Sequence, residues 1–450
     1  MSENGTSAFE TPESLEMKGI KIPQSPDQIT EEWMTRVLLL KAIIEEPVVV
    51  SSLSKTIVVG NSFSAHCVAI RVGCEYSVEL NGVETVFLVK IWPSEMLLPE
   101  EIARGMFLSD MKGYIEAAPE EWYPRPKLNL CSWNLESDQY VLMTSVRDSI
   151  GAEKALLTLD EVQAMVPRLA QVAALWENCH LPNQPMSTQA ERLERWTDRA
   201  NVSMYKGPLG IPYMIGAKLV DKILQTDLGG HWESIEMDGY AELLGGKLFK
   251  FFGRVGPKTN ASVTLSHGDL RRGNIDFKTK SEWVTSDFHS SCTGPVPTDL
   301  AYLMTSGSVL PSVYGDGEAE VTRYFYDEFQ RHTNAYRADS YSYEKFMKEY
   351  YTMAHVFFVY FVCLGTPVFQ SGAVDGKIDP RNPAEVTGPC TWAPELGSGT
   401  VVAESLSEEE QAKREWFKNV LANFRDVFSR AGGKTYLDAI GDDATIGSKK

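Results

Sequence analysis

The chain has 450 residues, 43% of them hydrophobic, and a net charge of −18. That is ample material for a core and more length than one core usually organises, so two lobes are expected. The acidic balance argues against nucleic acid or anionic membrane as the main partner, since both require a basic surface. The seven cysteines are scattered, with no C-x-x-C pair, and fit reduced thiols better than a disulfide framework or a zinc site.

Residues 1–25 are rich in Ser, Glu, Thr and Pro with little periodicity, which predicts a disordered leader. Residues 1–16 lack the apolar region of a signal peptide, so a cytoplasmic location is expected. A β-rich N-lobe is predicted over 26–145. It opens with a helix capped by Thr30, with Trp33, Val37 and Leu38 on its apolar side. Strands follow at 57–59, 67–72, 76–80 and 83–92, with Asn81-Gly82 as a hairpin turn between the last two. The segment 58–65 is a turn of small residues able to lay backbone N–H groups over phosphates, although a plain hairpin loop has the same composition. Lys90 lies in the apolar strand Val86-Phe87-Leu88-Val89-Lys90-Ile91-Trp92, where an ammonium is costly unless paired or solvated. Another apolar strand ends at Val141-Leu142-Met143-Thr144-Ser145.

A mostly helical C-lobe is predicted over 146–431. Its first helix, 160–179, spaces Val162, Met165, Val166, Leu169, Val172, Ala173 and Trp176 on one face, with Pro167 as a potential kink. Further helices are expected at 188–200, 213–226, 235–253, 317–335, 343–364 and 406–431, a long loop at 365–400, and a flexible tail at 432–450. The most apolar run, 353–369, contains His355, Gly365 and Pro367 and falls short of a membrane span, so it reads as a buried helix.

The chemistry concentrates in His267-Gly268-Asp269-Leu270-Arg271-Arg272-Gly273-Asn274 and, one short hairpin later, Asp287. Phosphoryl transfer from ATP needs a carboxylate that orients an attacking hydroxyl and accepts its proton. It also needs an amide and a second carboxylate to hold Mg²⁺ against the β- and γ-phosphates. Asp269 suits the first role; Asn274 and Asp287 suit the second. Strands predicted at 263–266, 274–277 and 282–286 put both metal ligands at strand ends. Asp and Asn also close turns, but the spacing from Asp269 to Asn274 to Asp287 favours catalysis.

This block resembles the aminoglycoside-phosphotransferase and choline-kinase-like family, including the ecdysteroid-kinase-like proteins. Gly294-Pro295-Val296-Pro297-Thr298-Asp299-Leu300-Ala301-Tyr302 is similar to the family's G-x-P-x-x-D-L-A segment, and Pro23 to Met34 to its opening helix. The resemblance implies an α+β, two-lobed protein-kinase-like fold, with a small antiparallel N-lobe and a larger helical C-lobe. It implies ATP and Mg²⁺ as cofactors and a small-molecule hydroxyl as phosphate acceptor. Gly60, Phe63 and Ser64 then match the nucleotide-covering loop, with Ser62 where the family has a second glycine. Lys90 would hold the phosphates and pair with Glu101, and the backbone of Met143 and Ser145 would meet adenine. His267 would brace the loop, and Asp299 would tie down the segment after the metal site. Two departures are Ala173, where relatives carry His, and the absence of an acidic residue near Thr144.

Arg271 and Arg272 stay open between contacts to phosphate or an anionic substrate and plain solvated loop residues. An edge-strand role for Lys90 also stays open. A protein kinase is disfavoured because His289, not Gly, follows Asp287-Phe288. A non-catalytic nucleotide-binding scaffold is the other alternative, favoured slightly by Ser62 and by the missing acidic residue near Thr144.

Overall fold

In a computed structural model, the chain is described over residues 10–45, 48–58, 72–80, 83–91, 110, 123–134, 139–146, 156–177, 263–277, 279, 281–288, 291–333, 341–359 and 406–430. Packing divides it into two units, Met1–Ala117 with Arg125–Lys154, and Ala118–Pro124 with Ala155–Lys450. The class is α+β, with an antiparallel sheet in the first unit and a mostly helical second unit among the described residues.

The first unit begins with α1 (Pro12–Met17) and α2 (Glu31–Leu40), each N-capped by a threonine. Thr11 Oγ1 accepts from Ser14 N at 3.1 Å and Thr30 Oγ1 from Trp33 N at 3.2 Å. Five antiparallel strands follow: β1 (Ser52–Val58), β2 (Val72–Leu80), β3 (Val83–Ile91), β4 (Leu128–Asn134) and β5 (Gln139–Val146), in the order β1-β2-β3-β5-β4. Leu80 pairs with Val83, the register of the two-residue hairpin expected from Asn81-Gly82. One side of the sheet buries Val78, Phe87, Val89, Ile91, Leu130, Val141 and Met143 against Trp33, Met34, Val37 and Leu38 of α2.

The expectation of a disordered leader over 1–25 is corrected for residues 10–25. Leu15, Ile20 and Ile22 are buried in the same core, and Glu10 N donates to Cys131 O at 3.0 Å. A six-residue helix has too little periodicity to register as a pattern; it is held by the sheet it covers.

Glu10 anchors this segment. Its carboxylate accepts from Lys18 at 2.9 Å, from Ser14 at 2.8 Å, and from Lys41 at 2.7 Å, whose side chain is only 3% exposed. Burial alone would raise its pKa, yet these donors hold it at about 2 against an ordinary 4.5. A depressed folded-state pKa contributes stability that is full above pH 4.5 and lost as pH falls toward 2. Glu10→Gln is expected to destabilise the protein by about 2–3 kcal/mol at pH 7. Urea melts at stepped pH check this: the gap to the parent chain should close between pH 4.5 and 2.

In the second unit, α3 (Leu159–Glu177) buries the whole predicted stripe from Val162 to Trp176. Pro167 lies inside it without ending it. Thr264 Oγ1 donates to Ala173 O at 2.8 Å, tying α3 to β6 (Val263–Ser266). The hairpin β7 (Ile275–Phe277) and β8 (Trp283–Thr285) follows, then β9 (Cys292–Pro295), which pairs antiparallel with β6. Next come α4 (Thr298–Thr305), α5 (Asp316–His332), α6 (Tyr343–Val359) and α7 (Glu408–Arg430). Every residue of α4 is buried. Among the described residues, no helix is long and apolar enough to cross a membrane. The helices expected at 188–200, 213–226 and 235–253, and the tail, lie outside the described residues.

Candidate active site

The His267–Asn274 loop runs from β6 into β7, and the β7–β8 register places its end. Ile275 pairs with Thr285, and Ser286 N donates to Asn274 O at 3.0 Å. Asn274 is therefore opposite the residue that precedes Asp287, which brings the backbones of the two expected metal ligands close together at the strand ends. Asn274 Nδ2 donates to Asp269 O at 2.8 Å and to Asp269 Oδ2 at 2.9 Å. This fixes the amide, leaving Oδ1 as its side-chain acceptor for a cation.

Asp269 is buried and, among the described residues, accepts from three side chains. Besides Asn274 these are Arg271 Nε, 3.2 Å from Oδ1 and 3.4 Å from Oδ2, and the Tyr302 hydroxyl, which donates to Oδ1. Burial works against the Arg271 charge, but Asp269, Tyr302 and Asp287 outweigh it and hold the guanidinium above its ordinary pKa. Tyr302 comes from the centre of α4, where its ring packs edge-on against Phe357 of α6 at 4.6 Å.

The loop is braced from beneath. Asp299, in the first turn of α4, accepts from His267 N at 2.7 Å, from Gly268 N at 3.0 Å and from the Tyr123 hydroxyl. Burial raises the Asp299 pKa, with its donors and nearby His267 opposing. Gly268 has φ +77°, a left-handed conformation that a β-carbon penalises. Burial lowers the His267 pKa despite three nearby carboxylates, so the imidazole is neutral at pH 7. Its Nδ1 accepts from Asp269 N at 3.2 Å, and Nε2, 3.1 Å from Ser286 O, therefore carries the proton and donates. His267 thus links the loop to the end of β8. Gly294 meets a packing limit: a β-carbon there would lie 2.5 Å from Thr298 Oγ1.

Asp287 is buried with φ +77°, a conformation sparsely populated by non-glycine residues. Phe288 behind it is fully buried against the His267 ring at 4.9 Å. The Asn274 carbonyl oxygen and the Asp287 carboxylate are hard oxygen donors of the kind Mg²⁺ takes. Among the described residues no cluster of three or more His, Cys, Asp or Glu could hold a metal by itself.

In the first unit, Lys90 is buried in β3 between β2 and β5, and its ammonium pairs with Asp110. Asp110 was not singled out from the sequence; the expected partner, Glu101, lies outside the described residues, as do Gly60, Phe63 and Ser64. The central position of β3 removes the edge-strand reading of Lys90.

Met143 and Ser145, whose backbone was expected to meet adenine, are among the described residues of the first unit. Both lie within β5, which is paired on both sides, by β3 and β4. Ser145 N donates to Lys127 O at 3.0 Å, and Met143 pairs with both Val89 and Leu130. The Ser145 amide is thus engaged by the backbone at Lys127.

No protein-family model matches the chain, and no curated protein matches it. Solved structures do. A spectinomycin phosphotransferase in complex with ADP and spectinomycin is 12% identical, with 90% of this chain and 99% of that one covered and a TM-score of 0.44. An ethanolamine kinase of Plasmodium vivax is 11% identical, with 83% and 92% covered and a TM-score of 0.38. An amicoumacin kinase in complex with AMP-PNP and Ca²⁺ is 10% identical, with 80% and 89% covered and a TM-score of 0.34. All three are named as kinases or phosphotransferases, the class that the His267–Asn274 block resembles. TM-scores below 0.5 leave the function to rest on the chain's own residues.

Proposed function

We propose that the chain is an ATP- and Mg²⁺-dependent phosphotransferase that moves the γ-phosphoryl group to a hydroxyl of a small molecule. The observation that carries this reading is the convergence of Asp269, Asn274 and Asp287. Asn274 is bonded to Asp269 and sits across the β7–β8 hairpin from the residue before Asp287.

Asp269, steadied by three donors, orients the acceptor hydroxyl and takes its proton as the oxygen attacks. Asn274 Oδ1 and the Asp287 carboxylate would hold the metal, which when bound would neutralise charge on the β- and γ-phosphates. Lys90 holds the phosphates as a point charge. A cytoplasmic location belongs to the same reading and suits the free, buried thiol of Cys131.

A scaffold reading draws on one observation: Arg271 and Tyr302 already occupy Asp269 Oδ1. Calorimetric titration with Mg²⁺ and AMP-PNP, beside ADP release over a panel of hydroxylated acceptors, separates the two. Binding with acceptor-dependent turnover supports the kinase; binding without turnover supports the scaffold; absence of both rejects each.

Lys90→Met is expected to weaken Mg·ATP binding about ten-fold or more, because the apolar stem stays and the charge goes. Removing Lys90 also strips Asp110 of this buried partner. Binding is therefore measured together with a thermal melt, and the double variant Lys90→Met/Asp110→Asn should recover stability without recovering affinity. Unchanged affinity in the single variant would make the pair purely structural.

A further inference from the structure

The two adjacent arginines of the loop are used differently. Arg272 is committed locally: its Nη1 donates to Ile275 O at 2.5 Å, and its backbone N donates to Ser308 Oγ at 2.8 Å. The Arg271 side chain is only 9% exposed and lies against Asp269, which it contacts through Nε alone. A guanidinium that merely neutralised a carboxylate would use the fork, Nε together with Nη2. Here Nη2 is buried and has no hydrogen-bond partner among the described residues. Burying a charged N–H without a partner is costly, and native sites seldom keep one without a use. The backbone leaves little freedom to relieve this, since Arg271 N donates to Asp269 O at 3.0 Å and Arg271 O accepts from Asn274 N at 2.8 Å.

We propose that Arg271 is a specificity-determining residue that binds an anionic group of the phosphate acceptor through Nη2, so that the acceptor is a small hydroxy acid. This rests on the kinase reading of the same site. The acceptor hydroxyl must come within hydrogen-bond reach of the Asp269 carboxylate. Nη2 shares a carbon with the Nε that already touches that carboxylate, so it lies close to where the acceptor hydroxyl must come, and an oxyanion near that hydroxyl would be its partner. A planar guanidinium suits both carboxylate and phosphate, and an ammonium at the same place meets like charge. In the transfer, the hydroxyl proton passes to Asp269 and the acceptor oxygen bonds to the γ-phosphorus. The bond from that phosphorus to its bridging oxygen breaks, with its electron pair leaving on ADP.

The test uses the full chain with saturating Mg·ATP and four acceptors that share one diol skeleton: glycerate, glycerol 3-phosphate, glycerol and 3-aminopropane-1,2-diol. ADP release should show kcat/KM for one or both anionic acceptors about 10- to 100-fold above the neutral and cationic ones. The two anionic arms tell carboxylate from phosphate. Arg271→Met should bring the ratio near unity, and Arg271→Lys should restore it only in part.

Equal use of all four, preference for glycerol or the amine, or an unchanged ratio in Arg271→Met would overturn the proposal. A uniform fall across acceptors would assign Arg271 to the transferring phosphoryl group instead. Where Arg271→Met folds poorly, melting of the parent chain with Mg·ADP decides: glycerate or glycerol 3-phosphate should raise the melting temperature and glycerol should not. If AMP-PNP binds but neither anion is phosphorylated or stabilises the chain, the proposal fails and the kinase reading stands. If AMP-PNP does not bind, both fail.

Discussion

Asp269→Asn is expected to lower phosphoryl transfer by about two to four orders of magnitude and to leave Mg·ATP affinity within a few-fold. Asparagine is nearly isosteric but accepts no proton. The structure adds a second consequence. The Asp269 carboxylate receives Arg271 Nε, Asn274 Nδ2 and the Tyr302 hydroxyl. An amide offers one oxygen where two were used, and its NH₂ would face another donor. A stability loss of about 2–3 kcal/mol is therefore expected as well. Transfer kinetics, calorimetry with AMP-PNP and a thermal melt on one preparation separate the effects. Wild-type transfer in the folded variant would remove Asp269 from the base role.

Asp287→Ala is expected to abolish Mg²⁺-dependent nucleotide binding while the protein stays folded. A metal-bridged triphosphate depends on this carboxylate, whereas the packing behind it belongs to Phe288 and His267. The positive φ of Asp287 makes alanine mildly unfavourable there, so Asp287→Asn, which tolerates that backbone better, is the companion variant. Both should lose the difference between AMP-PNP titrations with and without Mg²⁺. Near-normal Mg²⁺-dependent turnover in either folded variant would sink the metal assignment.

Local order was legible where it had a period or a turn signal. The α3 stripe from Val162 to Trp176, the Thr30 cap and the β2–β3 hairpin all follow from neighbours within a few residues. So does the spacing that makes Asp269, Asn274 and Asp287 candidates, because one loop and one hairpin set it. Four contacts were decided only by tertiary packing. Tyr302 reaches Asp269 because buried α4 lies beneath the loop. Asp110 meets Lys90, and Tyr123 meets Asp299 across 176 residues of sequence. The segment 10–25 is ordered only because Leu15, Ile20 and Ile22 find the sheet. In each case the energy comes from a partner distant in the chain, through burial or a charge that burial makes costly to leave unpaired. Arg271 shows the same division: its place beside Asp269 in the chain made it a candidate, and tertiary burial set its Nε on the carboxylate and left Nη2 without a hydrogen-bond partner among the described residues.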